Sequence, residues 1–201
     1  MIQTNPYLSN TTKEDSRIIR SKRDLANALQ QLLQEKNYDE ISIKDITDLA
    51  MVSKNTFYNN FNEKNDLLRF LFKRYEDELM KDIKPLLDKV RHSTRHIFFN
   101  KCIEIVVHFF YTGQLPFKKM IQQDQSHSLY YELNLFLKDL FFRLDTQYNR
   151  ILSNKLNPKV LTIFYSGAFS SMIYFSVKDD IEIEEKDLIK TIKIMAFPAV
   201  E

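Results

Sequence analysis

The stretch that decides the fold runs from residue 41 to residue 68 and reads ISIKDITDLAMVSKNTFYNNFNEKNDLL. Within it, Ser42 stands three residues before Asp45, and in this spacing the two residues cap a helix N-terminus reciprocally. A turn at Met51-Val52 follows, after which Ser53 is placed to cap a second helix. The pattern therefore predicts two short capped helices joined by a tight turn.

The same stretch has an unusual charge pattern, because residues 49–62 contain no Asp or Glu although acids are common on both sides. A surface that faces phosphates is expected to lack carboxylates, since like charges repel. Two short helices after a longer one form a helix-turn-helix, which lays its second helix in the DNA major groove. On these features alone, an ordinary helical hairpin with a polar face stays an open alternative. The side chains predicted to be exposed on the second helix are Lys54, Asn55, Thr56, Tyr58, Asn59 and Asn60.

Residues 41–68 closely resemble the DNA-binding domain of the TetR/AcrR family of bacterial regulators. The matching residues are Ile41, Ile43-Lys44-Asp45-Ile46, Ala50, Val52-Ser53-Lys54, Thr56-Phe57-Tyr58, Phe61, Lys64 and Leu67-Leu68. With the preceding helix the resemblance covers residues of about 11–75, and the remainder agrees only in layout. It implies an all-α protein with an N-terminal three-helix DNA-binding domain and a C-terminal helical ligand and dimerisation domain. Helical periodicity along the chain predicts about nine helices in total.

The resemblance also implies roles for the matched polar residues. Ser42 would offer its hydroxyl and a nearby backbone N–H to a phosphate, and Lys64 would hold the DNA backbone. Lys54 and Asn55 would lie nearest the groove floor, where the base sequence is recognised. Phe57 is predicted to anchor the core instead, as is Phe61. The implied DNA-binding residues are Ser42, Lys44, Ser53, Lys54, Asn55, Thr56, Tyr58, Asn59, Asn60 and Lys64.

Two positions depart from the family's pattern. The family usually has glycine in the turn, where this chain has Met51, and a positive φ there costs a non-glycine residue about 1 kcal/mol. The family also favours an aromatic residue where Asn60 stands, so that a phosphate contact is lost or shortened. These departures keep a second hypothesis open, in which the chain is a helical protein-interaction module with weak or lost DNA binding.

The first hypothesis is a sequence-specific transcriptional regulator, a repressor released from a palindromic operator by a small apolar ligand. A twofold dimer would present two DNA-binding domains to such an operator. Apolar stripes on helices near 157–178 and 184–197 indicate where two copies pack, with a plain monomer core as the alternative. The residues predicted at this interface are Leu161, Phe164, Ala168, Met172, Leu188, Ile192 and Met195.

The C-terminal half is rich in aromatic residues, since twelve of the sixteen phenylalanines lie beyond residue 95. Such a core can leave room for an apolar effector, although each ring taken singly can simply fill the interior. The residues predicted to line a pocket are Phe110, Tyr111, Met120, Phe136, Leu140 and Tyr165. This half also resembles the ligand domains of Firmicutes members, one subgroup of which regulates dihydroxyacetone use, but no residue selects that role.

Catalysis, cofactors and a metal centre are not predicted. His92 and His96 are four residues apart but lack a third ligand, and Arg91 and Arg95 stand between or beside them. The single cysteine, Cys102, lies in an apolar segment without a partner, as a buried inert thiol does. No phosphate-binding glycine loop, signal peptide or apolar run of membrane-spanning length occurs, which predicts a cytoplasmic protein.

Three regions are predicted along the chain. Residues 1–10 are expected to be a flexible arm, because they are polar and precede a capping pattern at Thr11 and Glu14. Residues 11–75 form the DNA-binding domain, and residues 76–201 form the helical domain for dimerisation and ligand binding. The net charge of +2 is too small to indicate nucleic-acid binding by itself, so the prediction rests on local placement.

Overall fold

The structure is a computed structural model that describes residues 16–87, 95–112, 116–125, 127–147, 157–179, 181 and 183–196. Within these residues the chain forms nine α-helices and one 3₁₀ turn, without a strand, which confirms the all-α prediction. The 3₁₀ turn is Tyr38–Glu40. The helices are α1 Ser16–Glu35, α2 Ile43–Leu49, α3 Lys54–Tyr58, α4 Lys64–Leu87, α5 Arg95–Thr112, α6 Phe117–Gln123, α7 Ser128–Gln147, α8 Pro158–Lys178 and α9 Glu185–Ala196.

The N-terminal helices bury one compact set of apolar side chains. In α1, Leu25, Leu29 and Leu33 recur at helical spacing and are fully buried against α2 and α4. Phe57 of α3 reaches this core, as does Phe61, which confirms both as anchors. In α2, Ile46 and Thr47 are buried, whereas Leu49, the last residue of the helix, is exposed.

The long helix α4 joins the N-terminal helices to the rest of the fold. It continues past residue 75, where the two domains were predicted to meet, and it includes Pro85 in its last turn. It contacts α1 on one side and α5 and α7 on the other. The predicted cap at Thr11 and the predicted arm over residues 1–10 lie outside the described residues.

The C-terminal helices pack around aromatic side chains. α7 lies along α8, and α9 lies along α5. A buried polar cluster fixes the α6–α7 connection, where the Asp124 carboxylate accepts from the Leu129 backbone N–H and the Tyr174 hydroxyl, each at 2.9 Å. Residues 159–178 of α8 are long and apolar enough to cross a membrane, but half of that segment is buried within the fold, as in a core helix.

The turn between α2 and α3 carries a backbone strain that glycine would relieve. Met51 has a φ of 54°, and its side chain is 93% exposed and gains almost nothing from packing. We expect Met51→Gly to raise the free energy of unfolding by about 1 kcal/mol in a urea titration. Met51→Ala keeps the Cβ and should give no gain. An equal gain in both variants would show that the methionine side chain, not the φ angle, is unfavourable.

Candidate nucleic-acid interface

The start of α2 is held by the predicted reciprocal cap. The Asp45 backbone N–H donates to Ser42 Oγ at 3.1 Å, and the Ser42 backbone N–H donates to Asp45 Oδ2 at 2.8 Å. The Ser42 hydroxyl also donates to this carboxylate at 2.7 Å. The Ser42 hydroxyl is therefore engaged, although it stays exposed at the end of the helix.

These hydrogen bonds hold the pKa of the Asp45 carboxyl at about 2, below its ordinary 3.8, with the Ser42 hydroxyl as the largest cause. Because the folded-state pKa is depressed, the contribution to stability is complete above pH 3.8 and is lost as pH falls through about 2. A carboxyl-detected NMR titration should therefore place Asp45 at about 2. Ser42→Ala should return its pKa towards the ordinary value. An ordinary pKa in the native chain would contradict the cap as described.

The helix α3 begins with a similar cap. The Thr56 backbone N–H donates to Ser53 Oγ at 3.1 Å, and the two hydroxyl oxygens lie 2.9 Å apart. Of the six side chains predicted to be exposed on this helix, four stand out into solvent: Lys54, Asn55, Tyr58 and Asn59. Thr56 was predicted to be exposed but is half-buried, because its hydroxyl turns back to the cap.

Asn60 does not project from α3 as predicted. Its side-chain amide donates to the Thr56 carbonyl at 2.7 Å and to Ser21 Oγ of α1 at 3.2 Å. Its Oδ1 is buried without a hydrogen-bond partner among the described residues. Asn60 therefore joins α3 to α1, and the sequence could not show this because Ser21 is 39 residues away.

Lys64 also makes internal contacts. Its ammonium donates to the backbone carbonyls of Tyr38 at 2.5 Å and Ile41 at 2.8 Å, and it lies 4.2 Å from the centre of the Tyr38 ring. Burial lowers its pKa. The Tyr38 hydroxyl donates to Asn65 Oδ1 at 2.6 Å, so both residues fix the start of α4 against the loop before α2. No role was predicted for Tyr38, although it is the aromatic residue of the otherwise polar segment 37–39 between α1 and α2.

Positive charge also lies on α1, which sequence reasoning left out of the site. Arg20 and Arg23 are exposed, and both guanidinium groups lie 3.6 Å from Asp24. Lys44 of α2 is exposed, as predicted. The N-terminal helices thus combine exposed cations with amide side chains on α3.

The predicted dimer residues divide into two groups. Phe164 and Met195 are exposed, and Ala168 and Met172 are half-buried. Three assignments are wrong for an interface between copies, because these side chains fill the core of one chain: Leu161, Leu188 and Ile192. Leu188 and Ile192 belong to the apolar stripe that α9 packs onto α5, whereas Leu161 belongs to α8, which packs against α7. Exposed apolar residues that the prediction missed are Val160 and Ile163 on α8 and Ile194 on α9.

A cavity of about 430 Å³ opens among α5, α6, α8 and α9. Of the predicted lining residues, Phe110 and Tyr111 contact it. Four others do not line it and are buried in the core instead: Met120, Phe136, Leu140 and Tyr165. Helical periodicity identifies the side chains that point inward. It does not identify which of them line a cavity and which are packed on all sides. The prediction missed the lining residues at the end of α8 and in the connection to α9.

The residues considered for other chemistry have ordinary structural settings where they are described. Cys102 is buried, and burial raises the pKa of its thiol to about 12, as expected for an inert thiol. His108 is exposed, and its Nδ1 lies 2.9 Å from Glu185 Oε1. His92 and the side chain of His96 lie outside the described residues. Among the described residues, no cluster of three metal-ligating side chains occurs.

Comparison with known proteins agrees with this geometry. Residues 25–70 match the family described as "Bacterial regulatory proteins, tetR family", and this range includes α2, the turn and α3. The similarity to this family thus lies in the part of the chain that carries the helix-turn-helix. A similar protein is the HTH-type dhaKLM operon transcriptional activator DhaS of Lactococcus lactis, 36% identical over 58 residues. The match spans 29% of this chain and 31% of that relative's length, so the chain covers under a third of the relative it matches.

Solved structures share the fold beyond residues 25–70. A TetR transcriptional regulator from Streptococcus agalactiae 2603V superposes with a TM-score of 0.58 at 23% identity, over 93% of this chain and 99% of that chain. The fatty acid degradation regulator FadR from Bacillus halodurans gives a TM-score of 0.56 at 15% identity, over 90% and 96% of the two chains. At these identities the likeness establishes the arrangement of the helices.

Proposed function

We propose that this protein is a sequence-specific DNA-binding transcriptional regulator that acts as a homodimer in the cytoplasm. The observation that carries the proposal is the acid-free surface of α3, with Lys54, Asn55, Tyr58 and Asn59 exposed in a helix-turn-helix. In this arrangement Asn55 and Asn59 suit base edges, whereas Tyr58 and Lys54 suit phosphates or bases. Residues 11–75 form the DNA-binding domain in this proposal, and residues 76–201 form the dimerisation and ligand-binding domain.

The supporting contacts explain how α3 is presented. Asn60 joins α3 to α1, and Lys64 joins α4 to the loop before α2. These two residues position the helix-turn-helix, while the exposed ends of α2 and α3 are left for phosphates. Ser42, Lys44 and Ser53 lie at or beside those ends. In this proposal Asn60 and Lys64 therefore act through position and not as the DNA contacts that the sequence predicted.

Two copies of the helix-turn-helix would match a palindromic operator. The exposed apolar residues of α8 and α9 support dimerisation through that face. Repression is the mode we expect, although DhaS of Lactococcus lactis is named an activator. A reporter gene under the protein's own upstream promoter distinguishes repression from activation. Deletion of the regulator raises reporter expression if the protein is a repressor and lowers it if the protein is an activator.

A fluorescence anisotropy titration with the DNA directly upstream of the gene tests DNA binding. Specific binding should exceed binding to scrambled DNA by at least about 10³-fold and weaken steeply with salt. Lys54→Ala should weaken it about tenfold. The matched control is Lys84→Ala, an exposed lysine near the far end of α4. Equal losses in both variants, or binding without sequence preference, would favour a protein-interaction module instead.

A further inference from the structure

Two asparagines of α3 point directly away from the core. Phe57 is the buried residue of this helix. Asn55 lies two residues before it and Asn59 two residues after it, so at 3.6 residues a turn each is rotated by about 200° from Phe57. The Asn59 backbone N–H donates to the Asn55 carbonyl at 2.9 Å, so the helical turn continues through both residues. Asn55 and Asn59 are therefore one turn apart on the outermost face of α3.

The other polar residues of α3 lie on its flanks. Lys54 and Tyr58 are exposed on one side. Thr56 and Asn60 lie on the other side, where Thr56 is half-buried at the cap and Asn60 is bound to Ser21 of α1. When a helix lies in the major groove, its outermost face meets the base edges, and its flanks lie nearer the phosphates.

The side-chain amides of Asn55 and Asn59 differ from that of Asn60 in their contacts. The Asn60 amide donates to two oxygens of the protein, whereas neither of the other two forms a side-chain hydrogen bond within the part of the chain that the structure describes. Each amide presents a carbonyl acceptor beside an NH₂ donor. DNA that covers these amides removes their water, so an amide left without partners weakens binding. The surface opposite Asn55 and Asn59 must therefore offer a donor and an acceptor together.

Adenine is the base that offers this combination in the major groove. It presents the N7 acceptor beside the N6 amino donor, whereas guanine presents two acceptors, N7 and O6. Cytosine presents only its N4 donor, and thymine only its O4 acceptor and a methyl group. Guanine is matched by the guanidinium group of arginine, and the sequence has no arginine between Arg23 and Arg69. The outermost face of α3 thus suits adenine and not guanine.

We propose that each half-site of the operator contains two adenines, which Asn55 and Asn59 contact bidentately in the major groove. In each contact Nδ2 donates to adenine N7, and Oδ1 accepts from the N6 amino group. The Cβ atoms of residues one helical turn apart are about 5–6 Å apart, and successive base pairs are about 3.4 Å apart. The two adenines therefore lie on adjacent base pairs or have one base pair between them. This inference rests on the proposed function and specifies the operator that the function requires.

Selection of bound sequences from a random double-stranded DNA library tests the base preference with the full chain. At about 0.15 M salt, each enriched half-site should contain two A·T pairs in the stated spacing. Enriched half-sites without two such pairs would overturn the inference and leave sequence-specific binding intact. If no sequence is enriched, the proposed function fails and the inference fails with it.

Single alanine variants assign the two contacts. Asn55→Ala should lose the preference for A·T at one position and keep it at the other, and Asn59→Ala should do the reverse. Each variant should bind the selected operator about tenfold more weakly for each half-site. Both side chains are exposed, so the fold should be unchanged, which circular dichroism checks.

The matched control is Gln31→Ala, which removes an exposed amide from α1 and should leave both preferences unchanged. Equal losses of affinity in all three variants would refute the assignment. Retention of both A·T preferences in the two asparagine variants would refute it as well.

Replacement of adenine by 7-deazaadenine separates direct contact from DNA shape. The replacement removes the N7 acceptor and keeps the base pair and its minor-groove edge. In a fluorescence anisotropy titration of the wild-type chain, each of the two replacements in a half-site should weaken binding about tenfold. The alanine variant that lacks the matching asparagine should show no further loss. Wild-type affinity unchanged by both replacements would attribute the A·T preference to DNA shape and overturn the proposed contacts.

Discussion

Phe164→Glu is expected to convert the proposed dimer into monomers. Phe164 is 63% exposed on α8, and Val160 and Ile163 on the same helix are exposed to the same degree. A water-exposed apolar surface of this kind marks an interaction site. In a twofold interface each copy contributes the same patch, so one substitution places two carboxylates in it. We expect the dimer dissociation constant to rise more than about 100-fold.

Sedimentation velocity at micromolar concentration measures this change. The same variant should bind its operator more weakly, because two DNA-binding domains joined in a dimer bind more tightly than a single domain. The matched control is Tyr131→Glu, since Tyr131 is 59% exposed but lies on α7. A wild-type chain that sediments as a monomer would refute the dimer. A Phe164→Glu chain that still sediments as a dimer would show that another face is used.

Local features of this fold were predictable from sequence because their partners lie close along the chain. The caps at Ser42 and Ser53 each involve a residue three positions away, and both form as expected. The strained turn at Met51 follows similarly from the tight connection between two helices. These contacts depend on little beyond the backbone geometry of a few residues.

Contacts between distant elements were not predictable. The ring of Tyr38 and the carbonyl of Ile41 receive the Lys64 side chain, although a lysine at a helix start equally suits a phosphate. α9 shows one apolar stripe in sequence, and only packing reveals that Leu188 and Ile192 face α5. An amphipathic pattern indicates which face is covered. It does not indicate whether the cover comes from the same chain or from a second copy.

Arg69→Met is expected to destabilise the chain by about 3 kcal/mol, because it leaves a buried charge without a partner. Arg69 of α4 donates from Nε and Nη2 to the two oxygens of Glu132 on α7, at 2.8 and 2.7 Å. The Glu132 side chain is 4% exposed, whereas that of Arg69 is 44% exposed. The low end of the range for a broken buried pair applies, since water reaches the arginine side.

Lys73→Met on the same helix is the matched control for this loss. Lys73 pairs with Glu76, whose side chain is only 2% exposed, but Glu76 also accepts from Arg143 at 3.0 Å. Its charge therefore keeps a partner, and we expect a loss of less than about 1 kcal/mol. Urea titrations of both variants measure the difference. Equal losses would show that the lysine and the arginine act through general charge on α4, not through the buried pair.

The double variant Arg69→Met with Glu132→Gln separates desolvation from lost attraction. Glutamine keeps the shape of the side chain and removes its charge, so the double variant should recover part of the stability lost in Arg69→Met. The pair bears on the proposed function because Arg69 lies near the start of α4, which follows α3, and Glu132 lies on α7. The ion pair fixes α4 against α7. A conformational change that moves α7 relative to the DNA-binding helices must therefore either move α4 as well or break this ion pair.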